Sequence, residues 1–154
     1  MQKPSDDSPQ LETKWLNSDD FEFLCFDLAR EAMAFNEPIP DYATRDDALL
    51  QSALGCPLQM FDNQLLYPTL IEQGAILFYT LIKNHPFQNG NKRVGVMSLL
   101  AFLSLNKKWL SVDPVDLYEV ACDVSSSDAK DRDQVIINVE ELITKNIISL
   151  SNNK

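Results

Sequence analysis

An all-α domain is the fold class this sequence predicts, and three observations carry the prediction. From Pro68 to Asn84 apolar residues recur at three- and four-residue steps, at Leu70, Ile71, Ala75, Ile76, Phe78, Tyr79 and Ile82, which is the spacing of one helical face. Val94 to Leu105 is apolar on nearly every face, as in a helix wrapped by others. Acid-rich helix starts stand at Ser18-Asp19-Asp20, Asp46-Asp47 and Asp113-Pro114. Together they give about six helices around a central, buried one. With 154 residues, 45% of them hydrophobic, the chain can bury one real core and is too short to expect two.

Taken in order, residues 1–17 are polar, carry Pro4 and Pro9, and read as a mobile arm in which Leu11, Trp15 and Leu16 are able to dock. A single domain is expected over 18–148. Its first helix has Phe21, Leu24, Cys25, Leu28 and Ala32 on one face down to about Phe35, and Pro38 and Pro40 end it. Thr44 opens a short helix with Leu49, Leu50, Ala53 and Leu54 inward and Gly55 as terminator. Cys56 to Tyr67 holds Leu58, Met60, Phe61, Leu65 and Leu66 without a clear period, so either a small hairpin around Asp62-Asn63-Gln64 or a loop packed on the core fits. Asn106 to Trp109 is a turn, with Lys107 and Lys108 complementing the end of the preceding helix. Further helices run from Pro114 to about Val124 and from about Asp131 to Ile148, broken by Ser125 to Asp128, and 149–154 is a frayed tail.

Composition removes several function classes. A net charge of −10 opposes general nucleic-acid binding, which needs a basic surface, and favours a protein partner. The three cysteines, Cys25, Cys56 and Cys122, are scattered and include no Cys-x-x-Cys pair, so neither a disulfide framework nor a zinc site is suggested. No run of about 18 apolar residues and no signal-peptide pattern is present, so no membrane partner and a cytoplasmic location are expected.

The chemistry concentrates in His85-Pro86-Phe87-Gln88-Asn89-Gly90-Asn91-Lys92-Arg93, between the two strongest helices. It holds the chain's one histidine, and Pro86 should push that residue toward an extended backbone. Phe87 is expected to turn inward as an anchor. Gly90 permits a conformation other residues avoid, and Asn91 can cap the next helix. The first amides of that helix, with the positive end of its dipole, make an anion site to which Lys92 and Arg93 add charge. Arg93 can grip a phosphate with two parallel hydrogen bonds, and the His85 imidazole can serve as general base. Cations at a helix start oppose the dipole, so something anionic should offset them. No Gly-x-x-x-x-Gly-Lys run precedes Lys92, which excludes a P-loop.

These nine residues resemble the signature of the Fic family, and more closely its Doc branch, in which a His-x-Phe loop ends in Asn-Lys-Arg. The likeness extends to Asp46–Leu54 upstream and Leu100–Asn106 downstream, and covers roughly residues 45 to 148. The resemblance implies the all-α Fic fold, with a flap in the 56–67 interval whose Leu58, Met60 and Phe61 line up the target's peptide chain. It also implies His85, Arg93 and Asn91 as catalytic residues and Gly90, Asn91, Lys92 and Arg93 as the phosphate-binding set. Asn89 stands where the family usually carries an acid that binds magnesium, and a neutral amide oxygen is a weaker ligand for that ion. Lys92 and Val96 replace the Gly-Arg-x-x-Arg glycine and second arginine of AMP-transferring members, which favours Doc-type chemistry; Met97 stands where that branch has a polar amide.

The implied activity is phosphate transfer from ATP or another nucleoside triphosphate, with Mg2+, to a serine or threonine of a target protein. In that branch the targets include the translation machinery, notably an elongation factor, and the toxin is paired with an antitoxin protein. Inhibition from another chain is expected here too, since Ser8 to Thr13 and Ser18 to Phe23 only approach the family's inhibitory Ser/Thr-x-x-x-Glu-Gly/Asn pattern. The rival readings are AMP transfer and a catalytically weakened binding or regulatory module.

Overall fold

The computed structural model describes residues 13–33 and 38–150. Leu11 of the arm, the first helix's expected end near Phe35 and the tail beyond Leu150 lie outside the described residues. Within them six helices surround a core, as the sequence predicts. Helix α1 covers residues 18–32: Ser18–Phe21, a π-helical stretch Glu22–Asp27, and Leu28–Ala32. The others are α2 (Asp47–Gly55), α3 (Leu70–Asn84), α4 (Asn91–Leu105), α5 (Pro114–Ser126) and α6 (Arg132–Asn146).

The core is organised around α4, which packs against α1, α3, α5 and the strand that follows it. Its most extensive partner is α3, and the two approach closely because Gly95 has no side chain. A Cβ there would lie 2.9 Å from Ile82 Cγ1. Val94, Val96, Leu99, Phe102 and Leu103 are all buried, so the all-round apolar pattern of α4 does correspond to a central helix. Ser98, the polar exception, donates to Val94 O at 2.7 Å and so leaves no hydroxyl unpaired. Against it sits Cys25, whose thiol burial pushes up to about 12, an inert core residue.

In α1 the face differs from the expected one. Phe21, Cys25, Phe26, Ala29 and Met33 are buried, whereas Leu28 is exposed and Ala32 faces solvent. The physical reason is the π-helical stretch, whose wider i→i+5 turn delays the apolar stripe by a residue relative to an α-helical count. For α2 the cap is Asp46, whose Oδ1 accepts from Leu49 N, rather than Thr44; Leu49 points outward and Leu50, Ala53 and Leu54 inward. Gly55 has an ordinary negative φ and does not terminate the chain's helical path, which continues as a short 3-10 turn, Cys56–Leu58.

Trp15 and Leu16 of the arm dock, as the sequence allows: Lys14 N and O bond to the Asn106 side chain at 2.8 and 3.0 Å, Trp15 stacks on Phe102, and Leu16 is buried. Two further corrections concern chain pairing. The turn at 106–109 leads into β3 (Lys108–Leu110), and α6 ends at Asn146, where the chain enters β4 (Ile147–Ser149) instead of staying helical to Ile148. Those two strands pair antiparallel, Trp109 opposite Ile148, so Ser149 belongs to a ladder and not to a frayed tail. Each partner is some forty positions from the other, a relation no local pattern carries.

Of the two readings of 56–67, the hairpin is the one observed. Strands β1 (Met60–Phe61) and β2 (Gln64–Leu65) pair antiparallel, and Asp62 and Asn63 both have positive φ, 55° and 63°. Two such residues are the requirement of a type I′ turn, whose twist suits a two-residue hairpin loop.

Candidate active site

The site is built where α3 stops and α4 begins. Thr69 and Glu72 cap the start of α3 reciprocally. At the other end the helix is reversed by His85 in the left-handed region, φ 51° and ψ 57°. This corrects the expected extended backbone: Pro86 disfavours the right-handed helical region for His85, and the left-handed one turns the chain most sharply. In this position the imidazole folds back on its own helix, with Nδ1 2.8 Å from Ile82 O. A carbonyl can only accept, so Nδ1 carries the proton, and Nε2 of the neutral ring keeps a bare lone pair.

Phe87 is the anchor expected of it. It is buried among Phe21, Phe26 and Tyr42, with centroids 6.2, 4.9 and 6.2 Å away, and lies parallel to Phe21. The loop backbone is braced on both sides. Asp46 N donates to Pro86 O at 2.8 Å, and the Asn91 side chain takes both backbone groups of Phe87, accepting from its N at 3.0 Å and donating to its O at 2.8 Å. Asn91 is therefore the first residue of α4 and a clamp on the loop, while the N-cap is Gly90. Gly90 sits at φ 85°, and a Cβ there would come within 2.5 Å of Ile39 Cγ1, so conformation and space both demand glycine.

A consequence follows for charge. Asp46, Thr69 and Asp113 fill the N-termini of α2, α3 and α5 with side-chain oxygens, but no side chain caps α4. Its first amides are left for another acceptor. They open on a cleft of about 180 Å3 lined by His85, Gln88 to Arg93, Tyr118 and Ser125. Lys92 is half-buried there; Arg93 is 2% exposed, and its Nη1 donates to Met33 O at 3.0 Å, so the guanidinium is fixed rather than mobile. Amides, a helix dipole and two cations meet beside an imidazole with a free lone pair, an arrangement able to hold an anion and remove a proton next to it.

The residues fit a protein-held Mg2+ poorly. Among the described residues no carboxylate lines the cleft, and no group of three or more His, Cys, Asp or Glu able to hold a metal occurs. Asn89 Oδ1 accepts from Gly90 N at 2.8 Å, which makes this amide a loop brace first.

The structure thus brings His85, Asn89, Gly90, Asn91, Lys92 and Arg93 to one cleft. It places Leu58, Met60 and Phe61 on or beside the hairpin, 41%, 60% and 73% exposed. Sequence reasoning missed Tyr118 and Ser125, which α5 supplies as the far wall. It also missed Lys83, whose Nζ donates to Ser127 O at 2.6 Å and lies 3.4 Å from Ser125 O, tying α3 to the end of α5. The one available signal was the run Ser125-Ser126-Ser127, which reads as a helix breaker.

No helix among the described residues is long and apolar enough to cross a membrane. No curated protein and no solved structure matches the chain. The family model described as Fic/DOC family matches residues 18–103, from the first turn of α1 into the last turn of α4, with the hairpin and the whole motif inside it. The chain belongs to the Fic/DOC family, whose domains are in general transferases with protein targets.

Proposed function

We propose that this chain transfers the terminal phosphate of a nucleoside triphosphate, ATP in the simplest case, to a serine or threonine hydroxyl of a target protein. The observation that carries the reading is the 2.8 Å contact of His85 Nδ1 with Ile82 O. A neutral ring that gives its Nδ1–H to that carbonyl accepts at Nε2, and His85 lines the same cleft as the open N-terminus of α4. In the step itself, Nε2 takes the hydroxyl proton while the hydroxyl oxygen bonds to the terminal phosphorus and the nucleoside diphosphate leaves. Lys92, Arg93 and the amides around Gly90 and Asn91 receive the phosphate charge, and the Asn91 clamp keeps those amides aimed. Mg2+ enters this reading with the nucleotide's phosphates, since no carboxylate lines the cleft among the described residues. The exposed apolar hairpin around Met60 and Phe61 serves as the flap against which the target's peptide lies. A component of the translation machinery, such as an elongation factor, is the target class we favour, with an antitoxin protein as the restraint.

Two observations favour a second reading. The engagement of Asn89 with Gly90 and the lack of a carboxylate in the cleft among the described residues suit a weakened, binding-only module. The test is transfer from γ-labelled and, separately, α-labelled ATP in cell extract with Mg2+, comparing the native chain with His85→Ala. Gamma label on a discrete protein is expected, with a loss of about 10²- to 10⁴-fold in the variant. Alpha label instead would mean nucleotidyl transfer, and no label from a folded chain would support the binding module.

A further inference from the structure

The far wall of the cleft contains a hydroxyl of the same class as the acceptor invoked above. Helix α5 ends in Ser125-Ser126, with Ser127 following, and the three serines differ in their bonding. Ser126 Oγ donates to Asp123 O at 3.3 Å and Ser127 Oγ to Val124 O at 2.7 Å, the usual fate of a serine at a helix end. Among the described residues Ser125 Oγ has no hydrogen-bond partner, although the residue is half-buried and lines the cleft with His85, Lys92 and Arg93. Its backbone is not loose. Lys83 Nζ bonds the carbonyls of Ser127 and Ser125, and Lys83 precedes His85 by two positions, so the backbone that carries the hydroxyl is tied to the end of the helix that carries the base.

We propose that Ser125 is an acceptor in its own chain, and that the enzyme modifies and thereby limits itself; this rests on the transfer reading above. Ser125 Oγ loses its proton to His85 Nε2 and forms an O–P bond to the terminal phosphorus of the nucleoside triphosphate. The bond from that phosphorus to the bridging oxygen breaks, the nucleoside diphosphate departs, and the imidazolium returns its proton to solvent. The product places a charge of about −1.5 to −2 in a cleft lined by Lys92 and Arg93. That phosphoserine fills the anion site from within and excludes the next nucleotide, so one event per chain suffices.

The experiment uses the full chain with γ-labelled ATP and Mg2+ and no other protein, followed by peptide fragmentation. One phosphate per chain is expected, on Ser125 and on neither Ser126 nor Ser127. Its rate should be independent of chain concentration, and it should be lost in both His85→Ala and Ser125→Ala. Ser125→Thr, which keeps a hydroxyl, should retain it. The modified chain should have lost its transfer to extract protein. Label at Ser125 from the α-position would support the acceptor role and identify a different transferred group. Label confined to other residues, or passed from native chain to His85→Ala, overturns the proposal. A chain that labels an extract protein while its own Ser125 stays unmodified overturns this inference and leaves the transfer reading intact; a chain that labels neither removes both.

Discussion

The loop from His85 to Gly90 and the hairpin from Gln59 to Leu66 are of similar length, and both turn through non-glycine residues of positive φ. They are stabilised in opposite ways. Phe87 is 5% exposed within a cluster of three rings, and both its backbone groups are taken by one buried asparagine. Phe61, its counterpart in the hairpin, is 73% exposed on a two-residue ladder that the Leu66 N to Gln59 O bond closes at 3.0 Å. On the function proposed above, the contrast separates two tasks. Atoms that take part in chemistry must be fixed to a fraction of an ångström, which needs fully satisfied buried bonds around them. A surface that recognises a chain can keep its apolar area in water, and burial comes when the partner covers it.

The largest expected effect in this comparison comes from Phe87→Ala. Removing a buried ring should cost about 3–5 kcal/mol, read as a lower urea midpoint. An equal cost for Phe61→Ala would break the comparison, because the hairpin would then be part of the core. Next comes Asn91→Ala, which leaves Phe87 N and O without their partner and should cost about 1–3 kcal/mol. Transfer activity should fall further than the unfolded fraction accounts for, as loop and amides lose their alignment; activity tracking stability alone would reduce Asn91 to a packing residue. The smallest is Phe61→Ser, expected within about 0.5 kcal/mol of the native stability. It should raise KM for a protein target and leave KM for the nucleotide unchanged, and an unchanged protein KM would remove the hairpin from target recognition.

Much of this was legible in the chain. The motif could be located because its residues are contiguous and because cations at a helix start contradict the dipole unless an anion is expected. The inward turn of Phe87 and the need for Gly90 were also readable, each from one residue and its neighbours. The α1 face was not: Leu28 and Ala32 keep α-helical spacing in the sequence, and only packing against the core selects the π turn that sets Phe26 and Ala29 inward. Nor was the tautomer of His85, which depends on a left-handed φ bringing Nδ1 back to Ile82 O.

By itself the sequence determined the helical periodicities, most helix starts and the place of the motif between two helices, since these depend on interactions between residues a few positions apart. Tertiary structure decided the pairing of Lys108–Leu110 with Ile147–Ser149, the docking of Lys14 and Trp15 on the end of α4, and the closure of the cleft by Tyr118 and Ser125. Those relations join segments tens of residues apart. Their free energy comes from burial and from satisfying polar groups across the fold, which no local window of the chain contains.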